Sequence, residues 1–219
     1  MIEILGRCRQ GELEKDLKVE IRNTILIILL GTALGVLSKL LDNMPLISAI
    51  GWHRIFGCLD LRNVFTRQAV WGLFAVIIAI YSKRPLRASI NIFGFFLGML
   101  IGYYTITITV SGFFPRAYML AWGLLTLFTP VLAFFTWYAK GHGWIATVLS
   151  SIIIAFFFTQ AFCFGKWYID ISHYDGVICL VLAIILLYRD IRKLVFSLLG
   201  VLITAPIIKI LLPYIFGGL

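Results

Sequence analysis

The chain is poor in acid. Ten Asp and Glu stand against 19 Lys and Arg in 219 residues, and five of those ten acids lie within the first 22 residues. No carboxylate falls well inside a long apolar run, whereas proton relays and cation pathways place carboxylates at membrane depth. A proton pump or a carboxylate-driven antiporter is therefore disfavoured. Charged residues make up only 13% of the chain and hydrophobic ones 61%, which excludes an ordinary soluble domain. The four cysteines, Cys8, Cys58, Cys163 and Cys179, form no CxxC pair and no Cys/His spacing of a zinc site. No metal and no cofactor is implied. There is no Gly/Ser-rich or Pro-rich linker. The net charge of +9 is dispersed between apolar segments instead of forming one patch, so a nucleic-acid partner is not expected.

What remains is a set of long apolar runs. Seven are readable, at about 24 to 42, 64 to 82, 87 to 110, 117 to 138, 143 to 164, 174 to 188 and 194 to 216; the sixth is short against the roughly 20 residues a crossing needs. The predicted fold is all-α: a polytopic transmembrane helix bundle of about seven spans, or six if the sixth fails, forming one integral membrane domain over 23–219. Residues 1–22 read as a cytoplasmic segment, with Leu13, Leu17 and Ile21 at helical spacing in an amphipathic helix from Arg9 to Arg22. Because that charged stretch precedes the first apolar run, no cleavable signal is expected. With a cytoplasmic amino terminus, the inner connections hold twelve Lys and Arg and the outer ones five. This bias predicts an inner-membrane protein with its carboxyl terminus outside. The connection from 43 to 63 is too apolar for a plain loop, and an interfacial or re-entrant outer helix is expected there.

Glycines recur at helical spacing. Gly94, Gly98 and Gly102 lie four residues apart in "GFFLGMLIG", and Gly31 and Gly35 repeat the device in "GTALG". Such small-residue faces let membrane helices approach closely, either within one chain, in a homo-oligomer or against a different membrane protein. Pro130 and Pro206 fall inside predicted spans and each frees a carbonyl; Thr126, Thr129 and Thr204 are placed to re-satisfy such groups. The alternating threonines of "TITITV" point to an irregular end of the third span.

Polar residues that bear chemistry collect at the predicted outer mouth. Trp52, His53 and Arg54 come from the first outer connection, Arg67 from one turn into the second span, and Arg116 from "GFFPRAY". "KWYIDISHYD" adds Trp167, Asp170, His173 and Asp175, and Lys209 lies deep in the last span. Together they suit a small polar or anionic solute or a lipid headgroup. Lys39 is expected to snorkel outward and pair loosely with Asp42. Asn91, Tyr103, Tyr104 and Gln160 are among the residues able to line a polar interior. A nucleophile at Ser172 or Cys58 lacks any evident base, which weighs against an enzyme.

The run from "NIFGFFLGMLIGYY" through "SGFFPRAYMLAWGLLTLFTPVLAFFTWYAKGHGWIA" resembles a family of bacterial multi-pass membrane proteins without an assigned function, over the central third of the chain. A second similarity is to the substrate-binding subunits of energy-coupling-factor vitamin transporters. That resemblance implies six spans and a small-xxx-small face, here Gly31 and Gly35, docking a transmembrane partner. The resulting expectations are a solute- or lipid-binding transport protein, a non-catalytic partner subunit, or a membrane-embedded enzyme.

Overall fold

In the computed structural model, residues 8–12, 17–43, 61–112, 114–165 and 167–211 are described. They form α1 (Leu17–Asp42), α2 (Gln68–Tyr81), α3 (Pro85–Ser111), α4 (Arg116–Ala139), α5 (Gly143–Ala161), α6 (Tyr174–Leu187) and α7 (Ile191–Leu211). A single turn of helix at Leu61–Val64 and a hairpin of β1 (Phe162–Phe164) and β2 (Ile169–Ile171) complete the described elements. Five helices, α1, α3, α4, α5 and α7, are long and apolar enough to cross a bilayer. The remaining two, α2 and α6, are apolar but only 14 residues each, about 21 Å against a hydrocarbon core of about 30 Å. The chain is thus an integral membrane protein by its helices, and large apolar side chains such as Leu127, Phe128, Leu202 and Ile203 face outward along them.

Contacts divide the chain into two compact units. The amino-proximal unit comprises Glu12–Arg67 and Ser82–Phe134; the carboxyl-proximal unit comprises Met1–Gly11, Gln68–Tyr81 and Phe135–Leu219.

In the amino-proximal unit α1 packs along α3, and the pairing is parallel. Glu20 pairs with Arg84 and Arg87 at one end, Gly31 and Gly35 meet Phe95 and Met99 in the middle, and Asp42 accepts from Tyr103 at the other end. Each step forward in α1 is thus matched by a step forward in α3. Between Asp42 and Ser82, which Asn91 holds at the level of Thr24, the chain therefore comes back along most of α1, about 27 Å. At the Glu20 end, Asn91 links Thr24 to Ser82 through its two amide atoms. The antiparallel α4 follows α3, and Ser89 donates to the Pro130 carbonyl at 2.7 Å.

The carboxyl-proximal unit repeats the pattern. Ser197 of α7 donates to the Thr147 carbonyl of α5, Gly200 faces Ser151, and Lys209 reaches the Phe164 carbonyl beyond the end of α5. These contacts make α5 and α7 parallel. Between them the chain turns through the hairpin, where the Ser172 N–H donates to Ala161, and comes back along α6 to Arg189, which donates to the Lys140 carbonyl. The short α2 runs the same way as α6: Gly72 lies against Phe156, and Tyr81 lies beneath the Lys140 ammonium. Alanines at 69, 139, 155, 161, 183 and 205 allow the close approach, and Val76, Ile80, Phe157, Leu180 and Leu187 fill the core between.

Three expectations change. The predicted amphipathic helix over Arg9 to Arg22 does not form as one element: residues 9–12 are not helical, and 17–22 are the first turns of α1. The cause is local, since Arg9 donates to the carbonyls of Trp137 and Ile80 and the Glu12 N–H donates to the Lys83 carbonyl. The expected irregularity at "TITITV" is absent, because Thr105, Thr107 and Thr109 each donate back to a carbonyl four residues earlier and remain in a regular helix to Ser111. The fifth apolar segment stops as helix at Ala161 and ends in β1. Of the predicted outer helix over 43 to 63, only Asn43 and the turn starting at Leu61 are described.

Candidate functional site

The Asp42 end of the α1/α3 pair carries the most unusual side chain. Lys39 is only 8% exposed. Its ammonium lies 5.4 Å from the ring centroid of Tyr103, and among the described residues no carboxylate or carbonyl receives it. The expected partner, Asp42, instead accepts the Tyr103 hydroxyl at 3.1 Å. The sequence view paired Lys39 with Asp42 because they are three residues apart on one helix; the parallel α3 brings Tyr103 between them. Lys39 does gain from standing in the last turn of α1, where the carbonyl end of the helix dipole favours a cation.

Around Lys39 the wall is aromatic. Tyr103 and Tyr104 pack edge to face at 5.4 Å, and Tyr104 packs on Phe114 at 5.9 Å. Tyr118 of α4 stands within electrostatic reach of both tyrosines. A buried cation under a tyrosine-rich wall, with one carboxylate fixing one hydroxyl, is suited to an anionic group that supplies the missing acceptor.

No family model, curated protein or solved structure matches this chain. The site therefore rests on its own geometry.

The five glycines lie in the seam beneath this site. A Cβ on Gly31 or Gly35 would collide with the backbone carbonyls of Phe95 or Met99, and one on Gly98 or Gly102 with those of Ile28 or Thr32. A Cβ on Gly94 would meet the side chain of Ile28. The two small faces are thus turned toward each other. Within α4, the carbonyl that Pro130 frees at Thr126 accepts the Thr129 hydroxyl at 2.7 Å, whereas Thr204 donates to Gly200 instead of the carbonyl freed by Pro206.

A second group of candidates gathers at the hairpin end of the carboxyl-proximal unit. Trp167 is 96% exposed at the hairpin tip. Asp170 on β2 accepts the neighbouring Ile171 N–H, His173 precedes α6 as its N-cap residue, and Asp175 stands in its first turn. Lys209 is engaged with β1: it donates to the Phe164 carbonyl and lies 4.6 Å from that ring's centroid. The Gln160 amide nitrogen is buried without an acceptor. A hydrogen bond with Cys163, reinforced by its charge, raises the Tyr168 hydroxyl above the ordinary tyrosine range. Apart from that amide nitrogen and one carboxylate oxygen of Asp175, the polar groups here satisfy one another or face solvent, and the arrangement is that of a membrane-interface hairpin.

Arg67 is half-buried beside the Asn63–Thr66 turn, and Arg116 is exposed at the start of α4. Both belong to the amino-proximal unit, unlike the hairpin group. Trp52, His53 and Arg54 lie outside the described residues. Among the described residues no three His, Cys, Asp or Glu side chains group as metal ligands. Lys39 and Asp42 were passed over as a surface pair; the signal that would have found them is the tyrosine pair of "GYY" at the matching height of the partner helix.

Proposed function

We propose that this chain is a seven-crossing plasma-membrane protein that binds a small solute carrying a carboxylate or phosphate at its outer end, acting in transport. The observation that carries this reading is Lys39, a largely buried residue whose ammonium lies over Tyr103 and has no carboxylate or carbonyl acceptor among the described residues. An ionisable group withdrawn from water without a partner is costly, and in membrane proteins such groups mark ligand or ion sites.

The two parallel pairs support this topology. If α1 and α3 both cross in one direction, the segment containing α2 brings the chain back, and α6 does the same between α5 and α7. Seven crossings with the amino terminus inside place the Lys/Arg-rich connections in the cytoplasm and Lys39, Arg116 and the hairpin outside. The reading as a subunit docked through its glycine faces has less support, since α1 and α3 direct those faces at each other.

The test is a thermal-shift screen of purified protein with mono- and dicarboxylates and phosphate esters, run on wild type and on Lys39→Met and Lys39→Arg. The expected result is an anion that stabilises wild type, retains a weaker effect on Lys39→Arg and has none on Lys39→Met. Equal shifts for wild type and Lys39→Met would remove the site.

A further inference from the structure

The end of the carboxyl-proximal unit away from the hairpin is crowded with cations. Lys140 follows the last residue of α4, Arg189 lies in the link from α6 to α7, and Arg192 and Lys193 stand in the first turn of α7. Hydrogen bonds draw these links together. Lys193 donates to the carbonyls of Ala139 at 2.5 Å and Gly141 at 3.2 Å, and Arg189 donates to the Lys140 carbonyl at 3.0 Å. The Lys140 ammonium lies 5.2 Å from the Tyr81 ring centroid.

Part of this has a plain explanation. Carbonyls at the end of a helix lack partners, and cations cap them. That accounts for Lys193, for Arg9 on Trp137 and Ile80, and for one donor of Arg189. It does not account for Lys140 or Arg192, which have no hydrogen-bond acceptor among the described residues, nor for holding like charges together. Asp190 adjoins the group in the chain, yet among the described residues it forms no ion pair with any of them, and Glu20 is the acid that does pair with arginines. The strain is visible at Lys140: burial, and then the charges of Arg9 and Arg189, hold its ammonium below the usual lysine range. An anion placed here would offset that repulsion.

We propose that Lys140, Arg189 and Arg192 form a binding site for the phosphate of an anionic phospholipid in the leaflet at this end of the helices. A lipid is favoured over a dissolved phosphate because exposed apolar residues continue from the cluster along the helices. Ile191, Val195 and Phe196 on α7 and Trp144 and Val148 on α5 are all exposed, and acyl chains lie on such surfaces while basic groups hold the headgroup.

The test is native mass spectrometry on the full chain in nanodiscs of mixed phosphatidylglycerol and phosphatidylcholine, counting lipids that stay bound. Wild type should retain phosphatidylglycerol in preference to phosphatidylcholine. Lys140→Gln/Arg189→Gln/Arg192→Gln should lower that preference on the order of 100-fold, roughly fivefold per charge removed. Lys140→Arg/Arg189→Lys/Arg192→Lys, which keeps the charge, should retain it. Should the neutral triple variant not fold, Arg192→Gln alone removes no hydrogen bond or ion pair among the described residues and should cost about fivefold. Equal retention of the two lipids by wild type, or an undiminished preference in a folded neutral variant, overturns the site. Displacement of phosphatidylglycerol by inorganic phosphate at equal concentration overturns the lipid as its occupant and assigns the same three side chains to a dissolved phosphate.

Discussion

The α1/α3 and α5/α7 pairs share one design and differ in how their seam is closed. Each joins two long helices running the same way, with a 14-residue apolar helix in the intervening chain. In α1/α3 the closest approaches are backbone to backbone, at Gly31, Gly35, Gly98 and Gly102. In α5/α7 they involve small hydroxyl side chains: Gly200 against Ser151, and Ser197 on the Thr147 carbonyl at 3.4 Å. Without a hydrophobic driving force between helices in lipid, close packing and interhelical hydrogen bonds are what remains to hold them. Both pairs use both: α1/α3 carries its interhelical polar bonds at its two ends, through Glu20, Thr24 and Tyr103, whereas α5/α7 carries Ser197 within the seam itself. A rigid backbone seam suits the pair that holds a buried lysine in place, since a site must be fixed by its surroundings.

The largest test of this difference is Gly35→Leu. The obstructing Met99 carbonyl belongs to the backbone and cannot rotate away, so the loss should reach at least about 3 kcal/mol and leave little monodisperse protein on size exclusion. Gly98→Leu should behave alike. In the other pair, Gly200→Ala meets only Ser151, and thermal unfolding should show a cost of about 1–2 kcal/mol. Adding Ser151→Gly should recover part of that loss, whereas no side-chain change on α3 should rescue Gly35→Leu. A full rescue of Gly35→Leu would erase the distinction between the seams.

Lys39→Met should act in the opposite sense, raising stability by about 1 kcal/mol as an unpaired cation on a largely buried side chain is replaced by an apolar chain of similar length. Unchanged or lowered melting temperature would mean that the ammonium is satisfied where it stands. The smallest effect is on reactivity: Cys163 is exposed in β1 while Cys8 and Cys179 are buried. In a Cys58→Ser background an impermeant maleimide should modify Cys163 alone, and modification of Cys179 instead would place α6 wrongly.

Much of this fold could be read from the chain because lipid imposes a simple rule on it. Five long apolar runs became span-length helices, four of them within about five residues of the predicted bounds and α1 starting seven residues earlier. The four-residue spacing of Gly94, Gly98 and Gly102 marked one face of α3, as it must on any helix. Other features depend on what a second element does. The helical period of Leu13, Leu17 and Ile21 could not reveal that Arg9 is drawn off to two carbonyls. Periodicity could not tell β1 from one more turn of α5, since Phe162–Phe164 is apolar in either role. Asp42 was assigned to Lys39 because only neighbours along the chain are visible in a sequence, while Tyr103 arrives from a helix 61 positions away. The outer site was spread over the three outer connections, from Trp52 to Arg116 and the hairpin, because polar residues are dense there; a single lysine near the end of a span leaves no density to notice.

The central claim is that both short helices carry the chain back across the membrane, so that the two pairs are parallel within it. Single cysteines at Asn43, Lys83, His173 and Asp190, introduced into a chain free of native cysteine, test it directly through labelling of intact cells with an impermeant maleimide. The account predicts labelling of 43 and 173 from outside, and of 83 and 190 only after permeabilisation. Labelling of 43 and 83 from the same side, or of 173 and 190 from the same side, would contradict it.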